Sequence, residues 1–367
     1  IIFIPTPDSS VSSGLNDDDY PVVEQLPIPL ITDVRKVPLP PELVEQFGHM
    51  QCNCIMGIFP SIRRAWLTVD SDIFVWRYLD GDDLAYFDGL SETILSIALV
   101  QPKQGIFKDH IKYLLVLATP LDIVMLGVSF ADGGKLLVFL RVNFVLEMRL
   151  LPDALFSLPS DGSYITNIVG SHNGRIFMGG RDGFLYEIAY QASGGWFSRK
   201  CNKINHSRSR LSFLVPSLLN VWLSEEDSIS QLVVDDTRNI LYTRSEKGTI
   251  TVYDLGQDGW GMSCVAQSSL DSIRRRAVAI ASGIEPSNLN ELVHIAAVTL
   301  QESRQINLVA VTQAGWLVDP KQNLNINKFI TRPSGLYLVH VRLPPGFTGS
   351  SVQRPTTVHS AHYNAGL

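Results

Sequence analysis

One pattern recurs along this chain: a short apolar strand, a polar turn, then a second apolar strand. Ala65-Trp66-Leu67-Thr68-Val69 passes through Asp70-Ser71-Asp72 into Ile73-Phe74-Val75-Trp76. Tyr113-Leu114-Leu115-Val116-Leu117 and Ile123-Val124-Met125-Leu126 flank Thr119-Pro120. Arg175-Ile176-Phe177-Met178 turns at Gly179-Gly180-Arg181-Asp182-Gly183 into Phe184-Leu185-Tyr186-Glu187-Ile188. Asn239-Ile240-Leu241-Tyr242 turns at Ser245-Glu246-Lys247-Gly248 into Thr249-Ile250-Thr251-Val252-Tyr253. A weaker fifth case runs from Asn307-Leu308-Val309-Ala310-Val311 to Gln313-Ala314-Gly315. Glycine supplies the positive φ that tight hairpin turns require. The hairpins recur roughly every 50 to 70 residues, longer than compact propeller repeats, so inserted loops are expected.

Each hairpin is the middle of a four-stranded unit that cannot bury its faces alone. Stacked units bury both faces and leave short edges. A sandwich would place turn signals about every 8 to 12 residues throughout. The pattern therefore predicts an all-β propeller with inserted loops and short helices. Further strands are expected near 90–100 and 336–343, and short helices at 41–47 and within 211–223. Residues 131–151 and 316–330 lose the alternation.

Several classes are disfavoured by composition. A net charge of −6 speaks against a broad nucleic-acid surface, because phosphate binding needs clustered cations. Four cysteines, Cys52, Cys54, Cys201 and Cys264, do not form a disulfide framework and suit a reducing compartment. Residues 1–5 lack the basic flank and cleavage site of a signal peptide. The longest charge-free apolar run, 211–224, is short of the roughly 20 residues of a membrane span. Residues 1–40 carry Pro5, Pro7, Pro21, Pro27, Pro29, Pro38 and Pro40, which suits an extended leader.

The most informative constellation is an apolar stripe at Leu211, Leu214, Val215, Leu218, Leu219 and Trp222, with Phe213 beside it. That spacing marks one helix face. Pro216 favours a loop leading into a short helix. A basic flank of Lys200, Lys203, Arg208 and Arg210 precedes it, Arg199 with them. Together these describe a peripheral contact for an anionic bilayer; the competing reading is a helix packed on a blade.

Other groupings have plainer explanations. His49, Cys52 and Cys54 lack a fourth ligand and zinc spacing, so buried thiols are expected and no metal. Asp80, Asp82, Asp83 and Asp88 crowd Gly81 and read as a solvated turn rather than a glycosidase pair. Gly133-Gly134-Lys135 lacks the rest of a phosphate loop. Asn205-His206-Ser207 fits a glycosylation sequon, idle in a reducing compartment. Arg274-Arg275-Arg276 reads as a solvated loop. No cofactor or small-molecule substrate is expected.

Long strings carry a resemblance. They span 37–54 (opening Val37-Pro38-Leu39-Pro40-Pro41), 65–74, 82–94 (Asp82-Asp83-Leu84-Ala85-Tyr86-Phe87 onward), 239–248, and His340-Val341-Arg342-Leu343-Pro344-Pro345-Gly346-Phe347. Together they closely resemble the N-terminal propeller of the inner-ring nucleoporins of the 155/170-kilodalton family. The resemblance implies a seven-bladed propeller over 41–355, and a linker beginning at 356–367 that leads to a helical solenoid. It implies a non-enzymatic scaffold of the nuclear pore complex that serves pore assembly and nucleocytoplasmic transport. The implied partners are scaffold and linker nucleoporins, with peripheral contact to the nuclear membrane. The alternatives are a propeller enzyme such as a glycan hydrolase, and a soluble adaptor propeller.

Overall fold

The structure, a computed structural model, describes residues 38–47, 49–50, 53–132, 146–192, 200–207, 227–280, 289–301, 307–313, 336–342 and 357–363. The chain divides into two compact units, one of residues 31–226 and one containing 227–367.

The first unit begins with the helix α1 (Pro41–Phe47), where a short helix was expected. Its first sheet joins β1 (Met56–Phe59), β2 (Arg64–Val69), β3 (Asp72–Arg77) and β4 (Ala85–Phe87) in chain order. The second joins β5 (Ser96–Val100), β6 (Ile111–Ala118), β7 (Asp122–Asp132) and β8 (Leu146–Leu150), with β9 (Phe156–Pro159) also on β7. The third joins β10 (Ile165–Gly170), β11 (Ile176–Gly180), β12 (Leu185–Tyr190) and β13 (Cys201–Asn205).

The second unit holds two more sheets. One joins β14 (Ile229–Asp235), β15 (Ile240–Ser245), β16 (Ile250–Asp254) and β17 (Ser263–Ser268). The helix α2 (Leu270–Ile280) follows. The other joins β18 (Leu292–Ala297), β19 (Leu308–Thr312), β20 (Leu336–Arg342) and β21 (Thr357–Tyr363). Every pairing is antiparallel, and the strands pair in chain order except that β9 returns to β7.

The turns form where their residues permit. In the β2–β3 hairpin Val69 faces Asp72, and Asp70 takes a φ of 52°. The β15–β16 turn closes through Ser245 N–H to Thr249 O at 2.9 Å, with Gly248 at a φ of 81°. β7 serves two outer strands in succession: its start pairs with β9 and its end with β8. Pro152, lacking a donor, falls in the break between them.

Central strands read as unbroken apolar runs because both faces are covered. All of β11 is buried, as are the last five residues of β6. One core joins the second and third sheets through Leu114, Val116, Ile176 and Met178. Another joins the first and second through Ile73, Val75, Leu115 and Leu126. In the second unit Tyr242, Val252, Ile295 and Leu308 do the same. Neighbouring sheets also share polar ties. Ser96 Oγ donates to Ile165 O at 2.9 Å, and the Gln231 amide bonds both Ile295 O and Ile295 N–H at 2.8 Å.

Two expectations need correction. β19 pairs with β20, so the fifth strand pair does not close at Gln313-Ala314-Gly315 but spans the residues up to 335. Arg274, Arg275 and Arg276 lie in α2, not in a loop. Ser269 caps that helix through Ser272 N–H, and Ile273 is buried with Leu270 packed beside it; the charged run hides this apolar contact from a periodicity reading. Residues 357–363, inside the stretch expected to open a linker, form β21. Most of the proline-rich leader lies outside the described residues.

Candidate interaction surface

The candidate membrane segment occupies the connection between β13 and β14. Leu211, Phe213, Leu214, Val215, Leu218, Leu219, Trp222, Arg208 and Arg210 all lie outside the described residues. Its two ends are within them, each anchored in its own unit.

At the upstream end β13 is the outer strand of the third sheet, in register with β12. His206 N–H donates to Leu185 O at 2.8 Å, and Ser207 Oγ accepts from Leu185 N–H at 2.8 Å. The His206 ring meets Glu187 at 2.7 Å, and Glu187 also takes a two-pronged ion pair from Arg175 at 2.8 Å on each oxygen. Burial alone would raise the Glu187 pKa, but the Arg175 and His206 hydrogen bonds and charges outweigh it and bring it to about 2. The chain thus leaves the sheet from a fixed, charged knot. At the downstream end Asp227 Oδ1 accepts from Lys247 N–H at 2.9 Å, and Ser228 O from Glu246 N–H at 2.8 Å.

Of the basic flank, Lys200 and Lys203 lie within the described residues. Lys200 is exposed, but it precedes β13 and its carbonyl pairs with Gln191. At about 3.3 Å per residue it stands about 20 Å from Ser207. Lys203 is 9% exposed, bonds Ser160 O, lies 3.4 Å from Asp161 and sits over the Tyr186 ring. Its charge is committed to the protein.

The acids near Gly81 also separate. Asp83 is buried against Arg64 and accepts from Met148 N–H, so it is no solvated turn residue. Asp80 pairs with Arg77 at 2.7 Å, and that hydrogen bond lowers its pKa. Cys201 is buried, which pushes its pKa up to about 11; Cys54 is half-buried, and Cys52 lies outside the described residues. Among the described residues no cluster of three His, Cys, Asp or Glu side chains suits a metal, and no helix is long and apolar enough to cross a membrane. Sequence reasoning missed the Arg175–Glu187–His206 knot. Its signal is the pair of opposite charges at Arg175, just before β11, and Glu187, within the otherwise apolar-looking β12.

Comparison with known proteins gives the same answer from three directions. The family model described as Nup133 N terminal like, Nucleoporin_N, matches residues 30–367. The chain is 37% identical to the nuclear pore complex protein Nup154 of Drosophila melanogaster, over 96% of this chain and 28% of that protein. It is 32% identical to nucleoporin NUP170 of Chaetomium thermophilum, over 77% of this chain and 20% of that protein. The crystal structure of the Chaetomium thermophilum Nup170 NTD–Nup53 complex superposes with a TM-score of 0.71 at 26% identity, covering 89% of this chain and 42% of that one. The chain spans about a quarter of the length of the curated relatives it matches. Its sheets are therefore blades of the all-β propeller class, and the chain belongs to the family of nucleoporins with a Nup133-like N-terminal domain.

Proposed function

We propose that this chain is the propeller domain of a scaffold nucleoporin in the inner ring of the nuclear pore complex, and that its work is contact, not catalysis. The observation that carries the reading is the family match over 30–367 on a chain built of meander sheets. In the full protein the domain has seven blades, a leader over 1–40 and a helical solenoid after it. It joins scaffold and linker nucleoporins in pore assembly and nucleocytoplasmic transport. The related Nup170 domain was crystallised with Nup53, which supports a nucleoporin partner here too. Binding of nucleic acid or a small-molecule substrate is not part of the reading.

Contact with the nuclear membrane falls to Leu211, Phe213, Leu214, Val215, Leu218, Leu219 and Trp222, with Arg208 and Arg210 beside them. A handful of inserted side chains, at roughly 0.8 kcal/mol per buried CH₂, gives reversible binding. Crosslinking mass spectrometry of the full-length protein in isolated nuclear envelopes tests the scaffold reading. Crosslinks to other nucleoporins are expected, and their absence would sink it. Flotation with anionic liposomes tests the membrane contact. Leu218→Asp with Trp222→Asp is expected to abolish flotation of a folded chain; unchanged flotation would remove the segment from the membrane.

A further inference from the structure

Three turns of the first unit are laced into one rim. In the β6–β7 turn Thr119 N–H donates to Asp122 O at 2.8 Å, and Thr119 Oγ1 accepts from Asp122 N–H at 2.9 Å. The β9–β10 turn is tied to it: Ser160 N–H donates to Leu121 O at 2.7 Å, and Ser160 Oγ to Pro120 O at 2.5 Å. The β11–β12 turn joins from the other side, where Arg181 N–H donates to Tyr164 O at 2.8 Å. Within the middle turn Asp161 and Gly162 take positive φ values of 50° and 74°, and Ser163 N–H donates to Ser160 O at 3.0 Å.

This rim holds two apolar side chains out of the fold. Leu121 is 58% exposed and Tyr164 is 48% exposed, while the strands that follow them open with the buried Ile123 and Ile165. A lone exposed leucine needs no explanation. Here two such side chains stand on turns bonded to one another, so the fold sets their spacing.

The chain leaves toward the candidate membrane segment from this same rim. His206 and Ser207 bond the backbone of Leu185, which opens β12 directly after the β11–β12 turn. Lys203, expected to face lipid, instead bonds Ser160 O and lies 3.4 Å from Asp161, so it braces the turn that presents Tyr164. The other charges on the three turns have both signs. Arg181 and Asp122 are exposed, and Asp182 accepts from the Tyr186 hydroxyl at 2.6 Å.

We propose that Leu121 and Tyr164 form a second membrane contact, seated at the surface of a zwitterionic bilayer. A tyrosine ring, apolar with a polar tip, favours headgroup depth, and Leu121 reaches the acyl boundary beneath it. Charges of both signs give the rim no attraction to anionic lipid, in contrast to the flank of Arg208 and Arg210. The pair is too small to hold the chain on a membrane by itself. Joined to residues 208–226 on one chain, it raises the effective concentration of each contact for the other. The proposal rests on the membrane reading of 208–226 and adds to it residues whose position the fold fixes.

Binding of the whole chain to small phosphatidylcholine vesicles, with and without phosphatidylserine, tests it. Leu121→Gln with Tyr164→Gln removes both apolar tips and adds no charge. That pair is expected to weaken binding about tenfold, by the same factor on both vesicle types. Leu121→Trp is expected to strengthen binding severalfold. Melting curves of each variant confirm the fold. Equal binding of the folded glutamine variant and its parent overturns the proposal, as does a loss confined to vesicles with phosphatidylserine, or a tryptophan variant that binds no better. If Leu218→Asp with Trp222→Asp ends flotation while the glutamine pair changes nothing, the membrane reading of 208–226 stands and this rim is excluded from it. A parent chain that binds neither vesicle overturns both.

Discussion

Among the described residues, some buried polar side chains satisfy one another and others, Tyr242 among them, have no hydrogen-bond partner. Arg175 and Glu187 are each under 10% exposed and satisfy one another, with His206 completing the set. Removing one member of such a pair leaves a buried charge alone, at about 3–5 kcal/mol. Glu187→Gln and Arg175→Met are therefore expected to lower stability by that order in chemical denaturation. The folded-state pKa of Glu187, about 2, is below its ordinary value of 4.5. The unfolded chain thus binds the proton more readily, and this carboxylate stabilises the fold above about pH 4.5. That contribution is lost as pH falls toward 2. Stability measured against pH is expected to slope downward over this window, and less steeply in Glu187→Gln. Tyr242 is the opposite case. It is fully buried, and its hydroxyl has no hydrogen-bond partner among the described residues. Tyr242→Phe removes a desolvated group and keeps the ring, so thermal melting is expected at an equal or higher temperature. A clear drop would reveal a hidden partner for the hydroxyl.

At the scale of elements the hairpins were legible because their turns impose chemistry that sequence displays. Gly183 and Gly248 occupy positive-φ positions, at 79° and 81°. A Cβ at Gly248 would also meet Leu270 at 3.2 Å. Gly248→Ala is expected to cost about 1–2 kcal/mol from the left-handed backbone alone, read by urea denaturation. Outer strands were harder to read. β8 and β9 are separate pieces laid along one long β7, a division set by which part of β7 each pairs with and not by a turn signal of their own. β20 has no turn signal near β19, so only the ladder reveals the partnership. α2 was missed because three consecutive arginines mask its buried Ile273.

At the scale of the whole molecule, each unit has its own apolar core, and residues 208–226 connect anchored ends at Ser207 and Asp227. Loop length costs little, since each doubling adds only about 0.6 kcal/mol. Replacing 208–226 with a Gly-Ser linker is expected to leave the circular dichroism spectrum and melting temperature nearly unchanged while ending liposome flotation. A collapse of the melting transition would instead mean that the segment packs on a blade. The chain alone determined the all-β class, the four best hairpins, the first helix and the family, because turn glycines, strand periodicity and long matching strings are local properties. Which charges are buried together and which lysines are already engaged were decided only by tertiary structure. Each of those depends on what is packed against a side chain by residues distant in sequence, and local sequence has no means of encoding that neighbour in a readable form.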